Sequence, residues 1–168
     1  MVILGIDPGY AIVGYGVVEA KNGRYRPLEH GAITTKASQR FYERLEIIYN
    51  GLTCIVQKWK PQAAAIEKLY FQNNQKTAIQ VAEARGVILL AVQKAGVTIA
   101  EYTPLQVKQA VTGYGQAQKP QVMEMTKRLL CLKQMPGLDD TCDALAMAIC
   151  HGQAAGSMLR RTMLTRRL

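Results

Sequence analysis

Carboxylates are unevenly placed along this chain. Its four aspartates are Asp7, Asp139, Asp140 and Asp143. Asp7 closes the run Leu4-Gly5-Ile6 just before Pro8-Gly9, where an aspartate can serve simply to start a turn through its side chain. Glu67 ends the run Ala63-Ala64-Ala65-Ile66, which has no other polar side chain. An acid at the carboxyl end of a buried strand stands where open α/β sheets place ligands. The competing use, an ion pair with Lys68, is awkward because neighbours in a strand point to opposite faces. Asp140 and Asp143 share one helical stripe with Met147, Cys150 and Ala154, and every residue from Thr141 to Cys150 except Asp143 is uncharged. No basic residue between Gln134 and His151 can pair with Asp143 locally, and an isolated buried carboxylate is costly. Asp139 sits where a helix N-cap belongs and is expected to act as one.

Taken together, Asp7, Glu67, Asp140 and Asp143 suggest metal chemistry. Carboxylates that converge without a counter-ion repel and raise one another's pKa. Two divalent cations would neutralise them, and ligands that are all oxygen select Mg²⁺ or Mn²⁺ over zinc. The chain carries 21 Lys+Arg against 12 Asp+Glu, a net charge of +9. A basic balance of that size favours an acidic partner, nucleic acid more than membrane. A carboxylate nest inside a basic protein suits phosphodiester cleavage, with cations at the reacting atoms and Lys/Arg on the backbone.

Those acids must be positioned by a small set of elements. Val2–Ile6, Val13–Glu19 and Tyr25–Thr35 read as three antiparallel strands, with a hairpin turn at Lys21-Asn22-Gly23. Leu45, Ile48, Leu52, Ile55 and Trp59 form the apolar stripe of a helix ending before Pro61. Ala63–Glu67 suits a buried central strand, and Thr77–Ala95 a second helix stopped by Gly96. Val97–Tyr102 is a further strand, followed by a helix that opens at Thr103-Pro104, cap then proline. Pro120–Leu132 is helical again, and a last helix runs from Asp139 to about Ala154. The order βββ-α-β-α-β-α-α-α describes an α/β protein with a mixed five-stranded sheet and helices on both faces.

Length and composition exclude several classes. At 168 residues with 49% hydrophobic residues, the chain reads as one domain over residues 1–156 with a basic, flexible tail over 157–168. Val87–Val92, an uninterrupted apolar run, is far too short to span a bilayer. The N-terminus has no basic n-region or cleavage signal, so a cytoplasmic protein is expected. Cys54, Cys131, Cys142 and Cys150 show no paired spacing and read as reduced core residues. Val87–Val92 is apolar on every side of its helix, which implies burial against the sheet and against a second partner, most simply another copy of the chain.

The run Leu4-Gly5-Ile6-Asp7-Pro8-Gly9 with Gly14-Tyr15-Gly16, then Ala65-Ile66-Glu67, Ala84-Arg85-Gly86, Gln106-Val107-Lys108-Gln109 and Asp140-x-x-Asp143-Ala144-Leu145-Ala146, resembles the RuvC-type Holliday junction resolvases. The resemblance covers residues 1 to about 153. It implies a ribonuclease-H-like fold and a homodimer. It further implies Mg²⁺-dependent cutting, with two ions per site and Mn²⁺ able to substitute, as paired symmetric nicks at four-way DNA junctions in recombination and repair. By position, Asp7, Glu67, Asp140 and Asp143 would be metal ligands, and Lys108 and Lys119 would be catalytic basic residues near the scissile phosphate. Tyr70 would stack on an unpaired base, a role that a tyrosine ring can fill. Lys76 and Arg85 join Tyr70, Lys108 and Lys119 as expected DNA contacts, and Val87, Leu89 and Leu90 as the expected dimer interface. A RuvA–RuvB branch-migration complex is the implied partner. Two other readings are a YqgF-like nuclease on the same fold and an actin-like-superfamily ATPase. The latter needs a duplicated half that 168 residues do not provide.

Overall fold

The computed structural model describes residues 1–68 and 75–165, with backbone alone for residues 75, 76 and 158–165. Five strands are present: β1 (Val2–Asp7), β2 (Ile12–Lys21), β3 (Arg24–Thr34), β4 (Ala63–Glu67) and β5 (Thr98–Tyr102). They form one mixed sheet in the order β3-β2-β1-β4-β5. The first three are antiparallel, while β4 and β5 run parallel to β1. Asn22 (φ 53°) and Gly23 (φ 76°) make the β2–β3 turn, the two left-handed residues that a tight hairpin needs to match strand twist.

The helices are α1 (Phe41–Trp59), α2 (Gln75–Lys94), α3 (Pro104–Thr112), α4 (Lys119–Leu129) and α5 (Asp139–Thr165). Thr103 caps α3, its side chain accepting from the Gln106 backbone N–H, with Pro104 following as expected. Alternation along the strands assigns the two sheet faces. Leu4, Ile6, Val13, Val17 and Ile66 pack with Ile48 and Leu52 of α1 and Ile88 and Val92 of α2. On the other face Ile3, Val18 and Ala65 pack with Leu145, Ala148 and Ile149 of α5, Val107 of α3 and Val122 of α4. Helices therefore cover both faces.

Two element ends differ from expectation. Helix α4 stops at Leu129 because Cys131 adopts a left-handed backbone (φ 52°). Helix α5 passes its expected end near Ala154 and continues to Thr165. After Gly156 the sequence holds no proline and is rich in Met, Leu and Arg, all good helix formers. The segment expected as a loose tail from residue 157 therefore begins as helix, and residues 166–168 lie outside the described residues.

The face beneath α5 is floored with small residues. A Cβ on Gly5 would lie 1.9 Å from the Ala144 carbonyl oxygen, and one on Gly14 2.0 Å from that of Asp140. These glycines let the helix backbone settle directly on β1 and β2. Gly14→Ala is expected to cost about 3 kcal/mol or more, because the new methyl meets backbone and must lift the start of α5. Urea denaturation checks this; an unchanged midpoint would show that the close approach is not needed.

Candidate active site

Strand alternation brings two of the acids to one face. Ile3 and Ala65 face α5, so Asp7 and Glu67, at even spacing from them, face it too. Both stand at the carboxyl ends of neighbouring parallel strands β1 and β4. Helix α5 crosses this end on the glycine floor and supplies Asp143 from its second turn.

The result is a cavity of about 300 Å³ lined by Asp7, Glu67, Asp143, Lys108 and Lys119, with Pro104, Val107, Val122 and Met147 as its apolar walls. Lys108 comes from α3 and Lys119 opens α4. Asp140 does not line the cavity. It stands at its edge instead, its Cβ and carbonyl against Gly14, the cross-strand partner of Asp7.

Burial, followed by the charges of Glu67, Asp143 and Asp140, pushes the Asp7 carboxyl up to about 7. Glu67 is raised by burial and then by Asp143. Asp143 is also raised by burial, with Lys119 pulling against the shift. Lys119 is the local counter-charge. Its Nζ lies 3.1 Å from Asp139 Oδ2 and 3.3 Å from Asp143 Oδ2. Burial opposes its charge, but the hydrogen bonds and charges of those two acids hold its pKa above the usual lysine range.

Carboxylates crowded closely enough to raise one another's proton affinity are the hard oxygen donors that a divalent cation takes. As the side chains stand, no group of three or more His, Cys, Asp or Glu among the described residues is closed into a metal-holding arrangement. The oxygens suit Mg²⁺ or Mn²⁺, which would have to draw them together.

Other expected site residues have different surroundings. The Arg85 guanidinium bonds the Glu67 carbonyl at 3.4 Å and pairs with Glu101, so it braces the ends of β4 and β5. Tyr70 lies outside the described residues, as does the side chain of Lys76. Val87 and Leu89 pack partly against the core of their own chain, whereas Leu90 is 53% exposed. Asp139 is the first residue of α5 and its carboxylate meets Lys119; it is not the N-cap it was expected to be.

Two supports were not foreseen. Thr141 Oγ1 donates to the Gly31 carbonyl at 3.0 Å, tying the acid-bearing start of α5 to β3. Buried Arg44 donates from Nε to Thr35 Oγ1 (2.7 Å) and from Nη2 to the Tyr10 carbonyl (3.1 Å). It also lies 4.5 Å over the Tyr10 ring, pinning the turn that follows Asp7. The signal for Arg44 was its place in line with Ile48 and Leu52 on the apolar stripe.

Comparison with known proteins gives a consistent answer. The family model "Crossover junction endodeoxyribonuclease RuvC" matches residues 3–151. The crossover junction endodeoxyribonuclease RuvC of Ruminiclostridium cellulolyticum is 52% identical over 154 residues, covering 92% of this chain and 93% of that protein. The RuvC structure from Thermus thermophilus superposes with a TM-score of 0.88 at 34% identity, covering 94% of this chain and 96% of that one. The same Thermus protein in complex with Holliday junction substrate superposes with a TM-score of 0.88 at 35% identity, covering 92% and 94%.

Proposed function

The chain belongs to the RuvC family of crossover junction endodeoxyribonucleases, and from that premise we propose that it resolves four-way DNA junctions by paired symmetric nicks at the carboxylate cavity. It is a metal-dependent endodeoxyribonuclease of recombination and repair, on a ribonuclease-H-like resolvase fold. A YqgF-like nuclease or an actin-like-superfamily ATPase is not favoured, since the family match spans nearly the whole domain. The observation that carries the mechanism is the meeting of Asp7, Glu67 and Asp143 with Lys108 and Lys119 in one cavity.

In this reading Asp7, Glu67 and Asp143 hold two Mg²⁺ per site, with Asp140 closing the set from the Gly14 side; Mn²⁺ can replace Mg²⁺. Cations held there would supply Lewis-acid chemistry, acidifying a water and stabilising charge on the departing 3′-oxygen. The chain's own residues do the rest. Lys108 and Lys119 hold the scissile phosphate, the apolar walls restrict bulk water, and the rigid strand ends keep the carboxylates in register. Tyr70 and Lys76 are proposed DNA contacts; the brace made by Arg85 serves Glu67 first.

A junction has two equivalent cleavage points, so a two-fold dimer sets one site at each. Leu90 and Ile79, 53% and 71% exposed on α2, give that dimer an apolar contact. Leu90→Glu is expected to give monomers in sedimentation and to uncouple the two nicks; an unaltered dimer would move the interface elsewhere. The basic segment from residue 157 is proposed to add backbone affinity, and a RuvA–RuvB complex to deliver the junction. No helix among the described residues is long and apolar enough to cross a membrane, and we place the activity in the bacterial cytoplasm.

The direct test maps nicks on all four strands of a synthetic mobile junction, with and without Mg²⁺. Symmetric nicks on two strands of like polarity, dependent on the cation, are expected. Nicks on one strand, or cutting in chelator, would overturn the mechanism.

A further inference from the structure

We infer that Asp139 is a positioning residue that keeps Lys119 at the mouth of the acidic cavity once Asp143 is engaged by a cation. The inference rests on the reading of this cavity as the nuclease site. Lys119 is the first residue of α4, a place where the helix dipole disfavours a cation. Nothing in its own helix recommends that position. Its ammonium is satisfied across the gap by the start of α5, 3.1 Å from Asp139 Oδ2 and 3.3 Å from Asp143 Oδ2.

The two acids are one helical turn apart and bracket the ammonium, but they are not equivalent. Asp143 lines the cavity, while Asp139 does not and its side chain is 63% exposed. A dication held by Asp143 takes up that carboxylate and repels the ammonium. Asp139 remains as an anion at the rim, in the first turn of α5, where the helix dipole favours one. The pair with Asp139 therefore stops Lys119 from swinging into solvent and from competing for Asp143. Lys119 stays presented to an incoming phosphate.

A double-mutant cycle on single-turnover junction cleavage tests this, using Asp139→Asn, Lys119→Ala and both together. Mg²⁺ is titrated in each, and junction affinity is measured in chelator. Asp139→Asn is expected to slow cleavage about three- to fivefold, the scale of a solvent-exposed ion pair. Junction affinity and the half-saturating Mg²⁺ concentration should be unchanged. The slowing should vanish in the Lys119→Ala background, and Asp139→Glu should restore most of the rate. Equal slowing in both backgrounds, or no slowing at all, would overturn the inference. A raised Mg²⁺ requirement with Lys119 absent would also overturn it, because Asp139 would then be a ligand. Failure of the unmodified protein to nick would instead remove the nuclease reading on which the inference stands.

Discussion

Asp7→Asn is expected to abolish cleavage, to leave junction binding intact, and to stabilise the metal-free protein. The asparagine keeps the shape at the end of β1 but offers no anionic ligand. The charge stabilisation that a held cation supplies is worth several kcal/mol, so the single-turnover rate should fall at least about a thousandfold. Binding should persist because Lys and Arg along the backbone carry it. Stability should rise for the reason that activity is lost. Burial and three neighbouring carboxylates push Asp7 up to about 7, so its ionised form is strained at pH 8. Relieving that strain is worth about 2–4 kcal/mol. Chemical denaturation in chelator reads the stability, and mobility shift reads the binding. Cleavage within tenfold of the parent, or binding lost along with cleavage, would refute the assignment.

The second large effect is a fall in stability of the metal-free protein as pH rises from about 4 to about 7. The sign follows from proton binding. The carboxyl of Asp7 is raised from 3.8 to about 7, so across that window the folded chain holds a proton that the unfolded chain releases. Stability associated with that proton is complete below the unfolded value and is lost as pH climbs through the folded one. Glu67 and Asp143 are raised as well and act in the same direction. Asp7 alone accounts for about 4 kcal/mol at most, or roughly 10 °C in Tm for a chain of this size. His151, lowered by burial, works the opposite way, so the difference from Asp7→Asn isolates the contribution of Asp7. Mg²⁺ at pH 8 should restore the loss by binding only the folded state. A Tm in chelator that is flat or rising between pH 5 and pH 8, with the same trend in Asp7→Asn, would contradict the account.

Much of this was legible in the sequence, and the reasons are specific. Asp7 and Glu67 each end an apolar run, so strand periodicity located both and topology made them neighbours. Asp143 was marked by its isolation among apolar residues. The last helix outran its expected end because Gly156 alone was a weak stop in a segment of good helix formers. Asp139 was misread because capping is a local rule, whereas its partner Lys119 lies twenty residues away in sequence and on another helix. Glycines at 5, 14 and 16 were visible as motif letters. Their spacing on one face of β1 and β2 was the readable sign that a helix lies directly on the sheet. Arg44 and Thr141 reach their partners through tertiary contacts 34 and 110 residues away, which no periodicity reports.

The most direct measurement is an anomalous difference map from crystals of the protein soaked in MnCl₂. The account predicts density in the cavity, at about 2.0–2.3 Å from carboxylate oxygens of Asp7 and of Glu67 or Asp143. Manganese bound elsewhere while this pocket stays empty, in crystals whose dissolved protein still cuts junctions, would contradict it.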